Sequence, residues 1–137
     1  MKNILLLSFA SILLFSYCAN PKKMMNNTSI DRIYFGKSGG FTNIPMEYVL
    51  FEKGQLYKMQ NGNLLKIQKI SRRQLETIDS LLADLDFKQL IINEPGNITY
   101  FIKVVKREYE KEVNWSDSSD DNILKELYNI LLATIKK

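Results

Sequence analysis

The sequence predicts an α+β fold, an antiparallel β-sheet of about six strands with two amphipathic helices packed on one face. Two kinds of pattern lead to this prediction. Short apolar or alternating runs, separated by glycine and asparagine turns, are typical of antiparallel strands. Leucine and isoleucine recur at three- and four-residue intervals in two other stretches, which is typical of amphipathic helices. The predicted order along the chain is β-β-β-β-α and then β-β-α.

The first four predicted strands form a meander. A glycine-rich segment, 36–40, follows the first strand and is expected to turn the chain, because glycine accepts positive φ. Lys53-Gly54 is a second turn, and Asn61-Gly62 is the dipeptide most typical of a two-residue hairpin. The four strands are expected at 31–35, 48–51, 55–59 and 64–70.

The first helix is expected to begin at Ser71, because Ser71 and Gln74 have the spacing of a capping box. The apolar residues that follow share one face, which we expect to pack against the sheet: Leu75, Ile78, Leu81, Leu82 and Leu85. Residues 87–92 are expected to form an extended connector, and residues 95–97 a turn.

Two more strands and a helix complete the predicted domain. Strand 98–105 is expected to lie inside the sheet, and a half-exposed strand, 109–115, is expected beside it. The polar segment 116–121 precedes the last helix, with Ser118 or Ser119 expected as its N-cap. The apolar face of that helix has the same periodicity as the first: Ile123, Leu124, Leu127, Ile130, Leu131 and Thr134.

The first residues have the pattern of an export signal. Lys2 precedes an apolar run, 4–15, whose length matches the ~7–15 residues of a signal peptide core and falls short of a membrane-spanning helix. Cys18, the only cysteine, follows it, and Pro21 discourages a helix after that. We therefore expect three parts: a signal peptide over 1–17, a flexible tether over 18–29 and a single globular domain over 30–137.

The lone cysteine after the apolar run resembles the signal of bacterial lipoproteins. The resemblance implies that Cys18 becomes the first mature residue and carries thioether-linked acyl chains, which would anchor the protein to an envelope membrane. Tyr17 departs from the pattern, because the residue before the cysteine is usually small. Two alternatives stay open: secretion after cleavage behind Ala19, and retention of the uncleaved segment as an anchor.

Composition weighs against several classes of function. The chain has no histidine, which is the commonest general base near neutral pH and the commonest metal ligand. Zinc sites, Ser-His-Asp triads and Cys-His pairs are therefore excluded in their usual forms. The net charge is only +4, and acidic residues follow the densest basic cluster, 66–73, so nucleic-acid binding is not expected. We expect no enzyme activity, no cofactor and no metal site.

Three clusters have residue types found in functional sites, and a structural role is the simpler explanation for each. The first cluster has oxygen-bearing side chains at every second position, as in the first half of a calcium-binding loop: Asp117, Ser119 and Asp121. It lacks the glycine and the final glutamate of such a loop. The second cluster would place three carboxylates on one face of a strand: Glu108, Glu110 and Glu112. Basic residues lie between them, which is typical of a solvent-exposed strand edge. The third cluster is aromatic, and its rings could stack on a ligand or pack in the core: Tyr100, Tyr109 and Trp115.

The glycine-rich segment is a candidate binding loop, because two phenylalanines flank it and it lacks the ending of a phosphate-binding loop. Its candidate contact residues are Lys37, Ser38, Gly39, Gly40 and Phe41. The layout from residue 34 to the last helix resembles small bacterial lipoproteins with no established activity. The motifs that carry this resemblance are residues 34–42, the turn at 95–97 and residues 115–117.

A weaker similarity is to emfourin-like inhibitors of thermolysin-type metallopeptidases. It rests on Ser38-Gly39-Gly40-Phe41, the leucine-rich helix after the capping box, a tyrosine in a later strand and the closing helix. It implies a protein-binding module whose loop blocks a protease. This chain departs from the pattern by adding three strand-like segments between the glycine loop and the first helix.

The sequence therefore favours a lipid-anchored, non-catalytic binding module of the bacterial cell envelope. Its partner would be an envelope protein of unknown identity. The alternative is an inhibitor of a thermolysin-like metallopeptidase that acts through residues 36–41.

Overall fold

The computed structural model describes residues 20–135. The predicted signal peptide, 1–17, and Cys18 lie outside the described residues. Within the described range, no helix is long and apolar enough to span a membrane.

The six strands form one antiparallel sheet in the order β4-β3-β2-β1-β5-β6, so β1 lies near the middle and joins the meander to the last hairpin. The predicted α+β fold with an antiparallel sheet is confirmed. The strands are β1 Arg32–Gly39, β2 Met46–Phe51, β3 Gln55–Gln60, β4 Asn63–Lys69, β5 Ile98–Val105 and β6 Glu110–Ser116. The helices are α1 Pro21–Asn26, α2 Arg72–Asp84 and α3 Asn122–Ala133.

Helices α2 and α3 pack on the same face of the sheet, as the sequence predicts, and they enclose the main hydrophobic core. The strand residues on this face alternate with residues on the other face, as antiparallel strands require. The fully buried core side chains include Phe35, Leu50, Leu56, Ile78, Ile102, Val113, Leu124, Leu127 and Leu131. This face is called the helix face below, and the opposite one the back face.

The N-terminus of α2 is as predicted, and that of α3 is not. Ser71 and Gln74 cap α2 reciprocally, each side chain accepting a hydrogen bond from the other's backbone N–H. At α3 the cap is Asp121, whose carboxylate accepts from the Leu124 N–H at 2.8 Å. The prediction of Ser118 or Ser119 was wrong because these serines form an earlier turn: the Ser118 hydroxyl lies 3.0 Å from that of Ser116.

The structure corrects the predicted turn at 36–40. Strand β1 continues to Gly39, because β2 and β5 pair with it on both sides and satisfy its backbone groups. Gly36 is needed for close approach rather than for a turn, since a Cβ there would lie 1.9 Å from the Met46 carbonyl oxygen. Only residues 40–45 connect β1 to β2 outside the sheet.

The structure also differs from the predicted tether, because α1 lies within it. Asn20 caps this helix by accepting from the Lys22 N–H at 3.1 Å, and Pro21 occupies the first turn, where its missing N–H costs nothing. Met24 is only 9% exposed, and it packs on the back face against Val49, Phe51 and Tyr57. The helix therefore covers the β2–β3 part of that face.

The connector after α2 is more structured than the extended segment predicted for residues 87–92. It opens with a 3₁₀ turn at Phe87–Gln89, in which Phe87 is buried in the core. The chain then follows the outer edge of β6: the Asn114 N–H donates to the Ile92 carbonyl at 3.1 Å, and the Glu94 N–H donates to the Asn114 carbonyl at 2.9 Å. These bonds cover part of an otherwise open sheet edge.

Candidate functional site

A cavity of about 540 Å³ opens on the helix face, between the sheet and α3. Its volume lies within the ~300–1,000 Å³ usual for small-molecule sites. Four strands and one helix contribute to its walls: Gly36, Lys37, Met46, Tyr48, Tyr100, Trp115, Ser116, Asp117, Lys125, Tyr128, Asn129 and Leu132. We call it the aromatic cavity, because four of its wall residues are tyrosine or tryptophan.

Three aromatic rings form one continuous wall. Tyr100 on β5 and Trp115 on β6 are directly paired across the strands, and their rings stack at 5.9 Å with planes 24° apart. Tyr128 on α3 meets both rings edge-on, at 5.4 Å from Tyr100 and 5.3 Å from Trp115. Stacked and edge-to-face contacts are both favourable arrangements of aromatic rings. The wall therefore holds α3 on the sheet, and all three residues line the cavity.

Two tyrosine hydroxyls in the cavity have no protein partner. Tyr48 and Tyr128 are each only 6% exposed, and within residues 20–135 the structure gives neither hydroxyl a hydrogen bond. Gln55 carries the one fully enclosed side-chain oxygen or nitrogen without a partner in that range. The two tyrosine hydroxyls are therefore reached from the cavity and are not sealed in the core.

Burial raises the pKa of Tyr128 far above its usual value, and the nearby Tyr100 and Tyr48 add to the rise. The Tyr128 hydroxyl is therefore protonated at any physiological pH and can donate a hydrogen bond. A phenol can also accept a hydrogen bond, but the Tyr128 proton needs an acceptor that residues 20–135 do not supply.

The third tyrosine is already partnered. The Tyr100 hydroxyl donates to the Asp117 carboxylate at 2.7 Å, and this hydrogen bond raises the pKa of Tyr100. Asp117, Ser119 and Asp121 thus have separate roles: Asp117 accepts from Tyr100, Ser119 is buried and Asp121 caps α3. In the range 20–135, no three residues of the metal-ligating types gather at one point.

The mouth of the cavity borders an exposed apolar segment, the β1–β2 connection. Phe41 is fully exposed, Ile44 is 67% exposed and Met46 is 37% exposed while also lining the cavity. Large apolar side chains gathered on a surface often mark a contact site for another molecule. The cavity and this connection form one candidate site.

The candidate binding loop is divided by the extension of β1. Lys37, Ser38 and Gly39 are strand residues, so describing them as loop residues was wrong. The Lys37 side chain lines the aromatic cavity, whereas Ser38 lines a cleft on the back face. Gly40 and Phe41 begin the exposed connection, and the Gly40 N–H donates to the Asn97 carbonyl at 2.9 Å.

The structure brings together two of the three aromatic residues that the sequence singled out. Tyr100 and Trp115 meet in the cavity wall, whereas Tyr109 lies elsewhere, with the Lys88 ammonium 5.8 Å from its ring centre. Sequence reasoning missed Tyr48 and Tyr128. A usable signal was periodicity: Tyr48 lies two residues before Leu50 and Tyr128 lies four residues after Leu124, which places each hydroxyl on a face otherwise expected to be apolar.

The back face has a second, charged cleft beside the part that α1 covers. Glu110 and Glu112 share this face, whereas Glu108 precedes β6 and does not continue the row. The Lys103 ammonium lies 2.5 Å from the Glu110 carboxylate and lowers the pKa of Glu110. Glu47 lines the same cleft, and its burial raises its pKa, which Lys103 partly offsets. Lys103 and Glu110 already pair with each other, and Glu110 is 60% exposed, so the aromatic cavity is the better candidate site.

Comparison of the sequence with protein-family models finds no match. Comparison with curated proteins finds no match either.

Replacing Glu47 with glutamine should raise the free energy of unfolding at pH 7. The raised pKa means that the folded state disfavours the Glu47 carboxylate relative to the unfolded chain, so ionisation of Glu47 weakens the fold. The stability gain should shrink as the pH falls through the folded-state pKa towards 4, where the native glutamate is protonated too. Urea unfolding between pH 4 and pH 7 measures this difference. The control, exposed Glu126→Gln, should show no such trend, and a Glu47→Gln variant less stable at pH 7 would contradict the assignment.

Proposed function

We propose that this protein is a non-catalytic binding module of a bacterial cell envelope, and that the aromatic cavity with its apolar mouth is its binding site. The observation that carries the proposal is the pair of unpartnered hydroxyls of Tyr48 and Tyr128 within a largely apolar cavity. Both hydroxyls are reached from the cavity, and among residues 20–135 neither has a protein partner, so a bound molecule can hydrogen-bond to them. A site with open donors among aromatic walls is therefore suited to a ligand that supplies the missing acceptors.

The titration of the cavity residues favours binding over catalysis. Proton transfer needs a group whose pKa lies near the working pH. The pKa values of Tyr100 and Tyr128 are raised, so both phenols stay protonated. The Asp117 carboxylate already accepts from Tyr100, and the Lys125 ammonium donates to the Ser119 carbonyl. These groups can position a ligand, and none of them is arranged as a nucleophile beside a base.

Attachment to a membrane is the second part of the proposal, and it rests on the sequence pattern that ends at Cys18. Helix α1 begins three residues after this cysteine and packs on the back face of the domain through Met24. Acyl chains on Cys18 would therefore hold the folded domain close to the bilayer, with little free chain between them. Stable anchoring needs more than one acyl chain, as the resemblance to lipoproteins implies.

Inhibition of a thermolysin-like metallopeptidase stays a prediction, and the structure narrows the residues that would act. Lys37, Ser38 and Gly39 are held between two strands, so only residues 40–45 project from the sheet. Phe41 is the side chain best placed to enter a protease cleft. Inhibition at micromolar concentration that is lost in Phe41→Ser would favour this function over the cavity as the binding site.

Small fragments should bind in the aromatic cavity. We expect members of a mixed set of acidic, basic and neutral aromatic fragments to shift the indole N–H resonance of Trp115, the only tryptophan, in ¹⁵N NMR spectra of the full chain. Asn129→Phe places a bulky side chain at an exposed position of the cavity wall, and it should weaken binding at least tenfold. The matched control, Leu65→Phe on the exposed side of β4, should leave binding unchanged. Fragments that never perturb the cavity residues would contradict the binding site.

The protein from its native envelope should partition into detergent. Its intact mass should match residues 18–137 plus acyl chains, and Cys18→Ser should abolish both the added mass and the partitioning. A water-soluble species that begins after Ala19 would contradict the anchor while leaving the cavity proposal intact.

A further inference from the structure

We propose that the aromatic cavity takes a flat apolar group that carries a carboxylate, with the ring against the aromatic wall and the carboxylate near Lys37 and the open tyrosine hydroxyls. This inference rests on the proposed function, because it assigns a ligand class to the same site. It follows from the register of the strands, from the hydrogen-bonding groups left open and from the shape of the walls.

The register of the sheet places the exposed Lys37 in the same row as the aromatic wall of the cavity. Lys37 pairs with Met46 on one side and with Tyr100 on the other, and Tyr100 in turn pairs with Trp115. These four side chains form one row across the helix face. Directly paired residues on one face have Cβ atoms about 5 Å apart, so the ammonium group can reach the aromatic wall. Tyr48 belongs to the next row inward, two residues along β2 from Met46.

The polar groups left open in the cavity are mainly donors. Among residues 20–135, Lys37 forms no ion pair, and the Tyr48 and Tyr128 hydroxyls have no protein partner. Asp117 and Lys125 each already have one protein partner, because Asp117 accepts from Tyr100 and Lys125 donates to the Ser119 carbonyl. A ligand that completes this site must therefore bring acceptors.

The charge of the cavity walls favours an anion. Two lysines and one aspartate line the cavity, a net charge of +1. An ionised acceptor makes a stronger hydrogen bond than a neutral one, and a carboxylate offers two acceptor oxygens to the donors of the cavity walls. A cation would meet two lysines and one carboxylate in these walls, so the net charge disfavours it.

The rest of the cavity suits a flat apolar group. Tyr100 and Trp115 present parallel rings, Tyr128 closes the wall edge-on, and Leu132 and Met46 add apolar surface. A planar ring can stack or pack edge-on against such a wall and gain more than its buried area alone provides. Beyond the mouth, exposed Phe41 and Ile44 can contact whatever the ring is attached to.

A ring with a carboxylate has two natural sources. It is a free aromatic acid, or it is the C-terminal aromatic residue of a polypeptide, whose main-chain carboxylate lies close to its ring. The chemistry at the cavity is the same in both cases. The apolar β1–β2 connection would add contacts only for the polypeptide.

The test compares three probes that differ only in the polar group: 3-phenylpropionate, 3-phenylpropanamide and 3-phenylpropylamine. Each is titrated into the full chain while the fluorescence of Trp115 is recorded. We expect the acid to bind at least tenfold more tightly than the amide or the amine. An amide or amine that binds as tightly as the acid would overturn the assignment, whereas the absence of any fragment binding in the cavity would instead overturn the proposed function.

Substitutions locate the contacts. Tyr48→Phe and Tyr128→Phe keep the rings and remove the hydroxyls, and each should weaken acid binding by about fivefold, the usual effect of one lost hydrogen bond. Lys37→Gln should remove the preference for acid over amide while leaving amide binding unchanged. Tyr57→Phe is the control, because Tyr57 is equally buried on the back face, away from the cavity. An acid preference that survives in Lys37→Gln would overturn the role of Lys37.

A further titration distinguishes the two sources. The peptide Gly-Gly-Gly-Phe with a free C-terminus is compared with 3-phenylpropionate. Tighter binding of the peptide supports a polypeptide C-terminus, and tighter binding of 3-phenylpropionate supports a free acid. If neither binds more tightly than its amide, the inference fails for both.

Discussion

The pairing of β1 with β5 is the constraint on which the rest of the structure depends. It joins the four-strand meander to the β5–β6 hairpin, although the paired residues lie more than fifty positions apart in sequence. Glycines allow β1 to approach both neighbours closely: a Cβ at Gly39 would collide with the Asn97 carbonyl oxygen just before β5, and a Cβ at Gly36 would collide with the Met46 carbonyl oxygen on β2. Only this pairing places Lys37 beside Tyr100, so the floor of the cavity exists because the two halves of the sheet meet in this register.

The aromatic wall then couples the sheet to α3. Rings from β5, β6 and α3 contact one another, so the helix that closes the core also forms one side of the cavity. The result is a well-packed core directly beside an open cavity, and the same contacts that stabilise α3 hold the Tyr128 hydroxyl in position.

Local patterns predicted the fold well, and long-range contacts account for what they missed. Hydrophobic periodicity identified both long helices and all six strands, and the Ser71 capping box is local enough to be seen in the sequence. The extension of β1 through four residues was missed because glycines suggest a turn unless partners on both sides are known. Pro21 was taken to oppose a helix, yet it occupies the first turn of α1, which is stabilised by the packing of Met24 on the back face.

Of the residues in the candidate site, the sequence predicted Tyr100, Trp115 and Lys37 as candidates. Tyr48 and Tyr128 could be recognised only once α3 was placed on the sheet.

The most direct measurement is a high-resolution crystal structure of the protein, examined at the hydroxyls of Tyr48 and Tyr128. An open binding site predicts that both hydroxyl oxygens face the cavity and lie within hydrogen-bond distance of an ordered water or a bound molecule, with no protein acceptor in reach. A structure in which α3 has closed onto the sheet and protein groups accept from both hydroxyls would contradict the cavity as a binding site.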